Sequence, residues 1–292
     1  MALASALFLL VAGVVYARSQ LMASAPVTWE RVWSADFREP AWTGLDPAQW
    51  LYQTGRGKFG NGEIEDMTSS PQNVYLNGDD ELDITARHEG DTWTSGRIRS
   101  VAAFTPPAGG ELQVVASIRQ PDPDSGLGYW PAFWLLGEGT WPEHGEIDIL
   151  EDVNALSEHS GAFHCGNLYQ HNADGTLGPC HEDTGLSSHL RPCGQCQDGF
   201  HTYSVIVDLR KPGDGEIRWY LDGGEFFSVQ ENEVGAATWD EATDHGFWII
   251  FDLALGGSYP DDTCHCSAPD SDTSSGGTMS IRNVVVYRTV TG

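Results

Sequence analysis

The stretch Gly145-Glu146-Ile147-Asp148-Ile149-Leu150-Glu151 alternates acids with isoleucines and then ends in a third acid that is out of phase. Alternation of this kind reads as a β-strand with one polar and one apolar face. Glu146 and Asp148 share the polar face, and Ile147 and Ile149 share the other. Strict alternation would turn Glu151 to the apolar side, where an unpaired carboxylate is costly to bury. A one-residue β-bulge near Ile149-Leu150 restores the phase and returns Glu151 to the face of Glu146 and Asp148.

The same periodicity recurs on both sides of this strand. Leu82, Ile84 and Ala86 alternate with Asp83, Thr85 and Arg87, and ELQVVASIRQ (111–120), YSVIVDL (203–209), EIRWYLDG (216–223), FWIIFDLAL (247–255) and MSIRNVVVYR (279–288) read as further strands. Helical periodicity is nearly absent, with at most a turn or two over Trp239 to His245. Many strands punctuated by Gly, Pro, Asn and Asp predict an all-β fold of two packed antiparallel sheets, a sandwich or jelly roll. The polar, Gly-rich segments 121–128 and 167–199 are expected to be loops at the rim of a sheet. No linker or repeat interrupts residues 27–292, which are expected to form one domain.

Of the 292 residues, 15 are Lys or Arg and 42 are Asp or Glu, a formal charge of −27. Only two lysines, Lys58 and Lys211, are present. Such a chain repels phosphate backbones and anionic membrane surfaces, so neither nucleic acid nor membrane is an expected partner. Residues 2–17 carry no charge and have the length of a secretory apolar region rather than a membrane span. A signal peptide ending at 17, or as late as 25, is therefore expected, with the mature chain secreted. The six cysteines agree with export, because an even number in an exported chain reads as disulfides. Cys165–Cys180 and Cys193–Cys196 are the preferred bridges, with zinc at Cys193-Gly-Gln-Cys196 the rival. A Cys264–Cys266 bridge follows only by elimination.

Three carboxylates on one face repel, so at least one is expected to have a raised pKa and to hold its proton near neutrality. Glycoside hydrolysis needs this pairing of an ionised and a protonated carboxyl. A calcium site or a solvated acidic face would use the same residue types. The flanking GYWPAFWLLGEGTWPEHG argues against a solvated face, because it sets Trp130, Trp134 and Trp141 just before the acids. Flat indoles suit the apolar C–H faces of sugar rings while carboxylates bond their hydroxyls.

GYWPAFWLLG followed by WPEHGEIDILE resembles the signature of glycoside hydrolase family 16, in its laminarinase-like branch with the bulged E-x-D-x-x-E spacing. Asn61-Gly62-Glu63-Ile64-Glu65, Ser95-Gly96-Arg97-Ile98, Phe200 to Tyr203, Tyr220 to Gly223, Leu253 to Gly257 and Met279 to Tyr287 are similar to other segments of that family. The resemblance implies a concanavalin-like β-jelly roll and an open glucan cleft. It implies Glu146 as nucleophile, Glu151 as general acid/base and Asp148 as the group tuning them. It places Trp130 and Trp134, with Asn61, Arg97 and His164, against the sugar. It further implies a retaining endo-β-1,3-glucanase acting on laminarin-type chains, needing no cofactor, and the chain is expected to be a monomer. Mixed-linkage glucan, galactan or mere glucan binding by a lectin are the alternatives. Asp252 stands where the family commonly has Asn, and Asn283 replaces an Asp that often supports a structural calcium site.

Overall fold

The computed structural model describes residues 27–57, 59–182 and 184–290; the expected signal peptide at 1–17 lies outside the described residues. Two eight-stranded antiparallel sheets pack face to face, with a small four-stranded sheet beside them. One large sheet runs in the order Gly224–Gln230, Glu216–Leu221, His201–Asp208, Glu111–Arg119, Thr278–Val290, Leu82–Thr85, Val74–Leu76, with Thr28–Ala35 also paired to Thr278–Val290. The other runs Leu186–Ser187, Glu158–His164, Glu146–Glu151, Tyr129–Gly137, Phe247–Leu255, Arg97–Phe104, Trp50–Tyr52, with Arg191–Pro192 also paired to Glu158–His164. Consecutive strands change sheets, as Glu111–Arg119 and Tyr129–Gly137 do, so this is the expected β-jelly-roll sandwich. The long strands match the alternating segments, and Phe247–Leu255 coincides with its segment residue for residue.

Alternation explains how the two layers meet. On Tyr129–Gly137 the odd-numbered side chains point inward, and Phe133 stacks on Phe251 with centroids 4.6 Å apart. Val114, Val205, Val207, Ile217 and Val286 of the facing sheet complete one continuous apolar core with Leu135, Ile147 and Ile249. Burial of branched and aromatic side chains on this scale is what holds the sandwich together.

The bulge falls within the acidic strand as its phase slip requires. Trp134 pairs with Asp148 while its neighbour Phe133 pairs with Leu150, leaving Ile149 as the extra residue. Glu146, Asp148 and Glu151 thus lie opposite Leu136, Trp134 and Ala132, all on the face away from the core. The slip also disrupts the ladder with Glu158–His164 between Asp148 and Glu151. The Asp148 carbonyl takes a hydrogen bond instead from the buried Trp219 Nε1, 2.7 Å away on the opposite sheet. Room for that indole comes from Gly161, where a Cβ would stand 2.6 Å from Trp219 Cδ1. A deep tryptophan thereby pairs the backbone carbonyl just before the extra residue.

Two expectations need correction. The 167–199 segment is not wholly loop, because Leu186–Ser187 and Arg191–Pro192 add short strands to the edge of Glu158–His164. Helices form at Glu231–Val234, Ala236–Thr243 and Ser258–Cys264, more than the turn or two expected. Ser258–Cys264 has no apolar periodicity to announce it, since only Pro260 is buried. Its entry is set by Gly256 and Gly257 at φ 69° and 95°, and a Cβ on Gly257 would lie 2.9 Å from the Asn61 carbonyl. All six cysteines are paired, as Cys165–Cys180, Cys193–Cys196 and Cys264–Cys266. Among the described residues no helix is long and apolar enough to cross a membrane.

Replacing Trp219 by Phe removes the indole N–H that the buried Asp148 carbonyl accepts. We expect Trp219→Phe to lose about 1–3 kcal/mol of stability, the cost of a buried unsatisfied group, and to lose activity disproportionately. Urea unfolding alongside turnover measures both; an unchanged midpoint would refute the tether.

Candidate active site

The outward face of the acid-bearing sheet is organised in rows by its register. Glu146 lies between His164 and Leu136, and Asp148 lies between Ala162 and Trp134. Glu151 lies between Ser160 and Ala132, and the same row continues to Asp252 and Arg97. These residues floor a cleft with two lobes of about 370 and 450 Å³ that share Asn61, Trp130, Trp141, Glu146, Asp148 and Glu151. Phe59, Glu63, Arg97, Trp134 and Asp252 line one lobe. His164, Glu182, Thr184, His189, Tyr259 and Asp262 line the other. Every residue proposed from the sequence for the acid trio or for sugar contact therefore reaches a single cleft.

Two indoles are locked by the acids around them. Trp130 Nε1 donates to Glu151 Oε1 at 2.9 Å, and Trp134 Nε1 donates to Asp252 Oδ1 at 2.7 Å. Arg97 donates from Nε to Gln53 Oε1 at 2.8 Å, and its guanidinium lies over Phe59 and Trp134, 4.1 and 4.7 Å from their ring centroids. The departure to Asp252 therefore keeps a role: a carboxylate accepts the indole N–H beside a cation. Trp141, exposed at 42%, reaches over His164 with ring centroids 5.9 Å apart and presents an open face to both lobes. Tyr259 packs edge-on against Trp130 and meets Ser160 Oγ at 3.2 Å.

The electrostatics follow from crowding acids in a dry sheet. Burial, then the neighbouring Asp148, pushes the Glu146 carboxyl up to about 8. The same two causes hold Glu151 well above the ordinary carboxylate range. Both Arg97 and His164 pull Glu146 back down, whereas His164 is the one cation among the main influences on Glu151. The Trp130 N–H also draws Glu151 down, so both acids are raised and each is opposed by neighbours that favour its charged form. Burial opposes a charge on His164, but its hydrogen bonds to Asp148 and Glu182 outweigh that and raise its pKa well above the ordinary value. Ligand atoms of Glu146, Asp148 and His164 lie within 4.8 Å of one another, close enough to share a cation.

Sequence reasoning missed Phe59, Gln53, Glu182 and Tyr259. Tyr259 and Glu182 sit in segments without periodicity, and Phe59 and Gln53 lie in turns far from the acidic strand in sequence. Only the Gly256-Gly257 pair hinted that a chain segment turns sharply toward Asn61 at this point.

A jelly-roll sandwich with a carboxyl trio beneath indoles in an open cleft defines a carbohydrate-active protein. Comparison with known proteins makes the class specific. The profile of XgeA-like catalytic domains of glycoside hydrolase family 16 matches residues 63–197. A β-glucanase from Rhodothermus marinus is 31% identical over 248 residues, spanning 79% of this chain and 77% of that one. The crystal structure of an endo-1,3-β-glucanase from Streptomyces sioyaensis superposes with a TM-score of 0.81 at 37% identity, over 91% of this chain and 99% of that one. Glucan endo-1,3-β-glucosidase A1 of Niallia circulans is 29% identical over 256 residues, 78% of this chain, although the chain spans only 34% of its length. The chain belongs to glycoside hydrolase family 16.

Buried acids also set how stability depends on pH. Burial raises Glu65 and Glu146 to about 8 and Asp152 to about 7, so each binds more protons folded than unfolded. Their stabilisation is fully present below the unfolded values and is lost as pH rises through the folded ones. The melting temperature is expected to fall between pH 5 and pH 9, and Glu65→Gln to flatten that fall. Calorimetric scans across the range decide it; a melting temperature that climbs with pH would contradict the assignment.

Proposed function

We propose that the chain is a secreted, retaining endo-β-1,3-glucanase acting on laminarin-type glucans. The observation that carries this reading is the bulge at Ile149, which puts Glu146 and Glu151 on one face with Asp148 between them. Retaining hydrolysis uses two carboxyls about 5–5.5 Å apart, one as nucleophile and one as acid. The β-1,3 linkage is supported by the names of the relatives from Streptomyces sioyaensis and Niallia circulans. Secretion is supported by three disulfides, which persist in oxidising compartments. A cleft open through two lobes on either side of the acids suits a chain bound at an internal linkage.

In the first step a Glu146 carboxylate oxygen attacks the anomeric carbon while the glycosidic C–O bond breaks. Glu151 gives its proton to the departing oxygen, and a glycosyl ester with Glu146 remains. In the second step Glu151, now ionised, takes a proton from water as that water attacks the anomeric carbon. The ester bond breaks, Glu146 is freed, and two inversions leave the β configuration unchanged. Asp148, next to both acids, opposes the simultaneous ionisation of Glu146 and Glu151, and Trp130 orients the Glu151 carboxyl through its N–H. Trp134 and Trp141 offer faces to sugar rings on the two sides of the scissile bond. The two-carboxyl chemistry requires no organic cofactor.

Glu146→Ala is expected to lower turnover of laminarin by at least roughly 10⁴-fold, given the size of nucleophile deletions, with azide restoring part of it as the α-glycosyl azide. Glu151→Ala should retain activity best on aryl glycosides with good leaving groups, where protonation matters least in the first step, while loss of the base slows the second. Reducing-end release from laminarin, lichenan and agarose by the unaltered protein fixes the linkage, and NMR of the first product fixes its anomer. The reverse pattern of rescue would exchange the two glutamates, and an α-anomer would refute retention.

A further inference from the structure

Glu182 lies two residues beyond the loop closed by the Cys165–Cys180 bridge, and its carboxyl group is fully buried. Its two oxygens are divided between His164, the last residue of the strand beside the acids, and Cys165, which follows it. Oε1 accepts the backbone N–H of Cys165 at 2.8 Å, and Oε2 lies 3.0 Å from His164 Nδ1. The other imidazole nitrogen faces the acid trio, with Nε2 3.4 Å from Asp148 Oδ2 and 4.0 Å from Glu146 Oε1. A neutral imidazole donating from Nδ1 to Glu182 would turn a lone pair at Nε2 toward those acids. With carboxyl groups at both ring nitrogens, the arrangement satisfies a doubly protonated ring.

The loop is shaped around this contact. Gly185, at φ +66°, passes over the ring so closely that a Cβ would stand 2.9 Å from His164 Nε2. The Glu182 backbone N–H is anchored to the Leu177 carbonyl at 2.8 Å, and Gly178 leaves room for the side chain, since a Cβ there would be 3.0 Å from Glu182 Cγ. The disulfide closes two residues before the glutamate and begins one residue after the histidine. Charged and titratable groups facing His164 are Glu146 and Asp148 from the acidic strand and Glu182 from the loop. Glu151 feels its charge from further along the same face.

We propose that Glu182 is a positioning residue: from just beyond the disulfide-closed loop it holds His164 as a cation aimed at Asp148 and Glu146, setting which member of the acid trio carries the proton. The proposal rests on the glycosidase reading above, and it extends that reading to a residue that never touches the sugar. Through it the segment that follows the bridge becomes part of the electrostatics of the cleft as well as part of its wall.

The test combines NMR and kinetics on the full chain, comparing the unaltered protein with Glu182→Gln and with His164→Asn. Imidazole ¹⁵N signals should show His164 doubly protonated in the unaltered protein and titrating at least one pH unit lower in Glu182→Gln. Loss of one charge-assisted hydrogen bond should lower kcat roughly 10- to 100-fold, with KM within about twofold and the kcat–pH profile displaced. In the His164→Asn background the further change Glu182→Gln should add little. A Glu182→Gln protein with reduced melting temperature but an unmoved His164 titration and kcat–pH profile would overturn the proposal, leaving Glu182 as loop support. If the unaltered protein cleaves no glucan, the glycosidase reading fails, while the His164 titration still decides whether Glu182 sets its charge.

Discussion

The bulge at Ile149 is the constraint on which the site depends. One extra residue in a six-residue strand lets Glu146 and Glu151 share a face while Ile147 and Leu150 remain in the core. Without it, either Glu151 or the apolar residues would be on the wrong side of the sheet. A bulge disrupts the ladder, and here the Asp148 carbonyl is paired by Trp219 from the layer beneath. Gly161 makes space for that indole, so three strands in two sheets combine to place one carboxylate. The catalytic face and the hydrophobic core are thus not separable parts of this molecule.

Charge compensation is the second requirement, and it explains the loops. Glu146, Asp148, Glu151 and Asp252 crowd one face with Arg97 and His164 as the cations beside them. Burying such a set in a low dielectric is costly unless charges are paired or neutralised by protonation. Raised carboxyl pKa values are one response, and cations oriented by neighbours are the other. Arg97 is held by Gln53 and His164 by Glu182, the latter two residues beyond the Cys165–Cys180 bridge. The polar loop that cannot stabilise itself by burial is tied covalently beside the groups it orients.

Much of this organisation was written locally. Period-two alternation disclosed the long strands, because a sandwich strand has one face in each environment. The phase slip from Ile149 to Glu151 disclosed the bulge, because a carboxylate in the core is too costly to be incidental. Even Cys264–Cys266, which rested on elimination alone, forms. The weaker readings share a cause. Ser258–Cys264 buries almost nothing of its own, and Leu186–Ser187 and Arg191–Pro192 are strands only because an edge is available to pair with.

What the sequence by itself determined is therefore the layered all-β architecture, the bulged acidic strand and the set of acids and indoles along one face. Each follows from the period of a strand and from the cost of burying charge. What only the tertiary structure decided is which distant residues complete that face. Trp219 meets Asp148 across 71 positions, Trp134 meets Asp252 across 118, and Tyr259 meets Ser160 across 99. Glu182 is only 18 positions from His164, yet nothing in that interval has a period to aim it. Side-chain direction in such loops is set by disulfide closure and backbone contacts, and these exist only once the two sheets have packed.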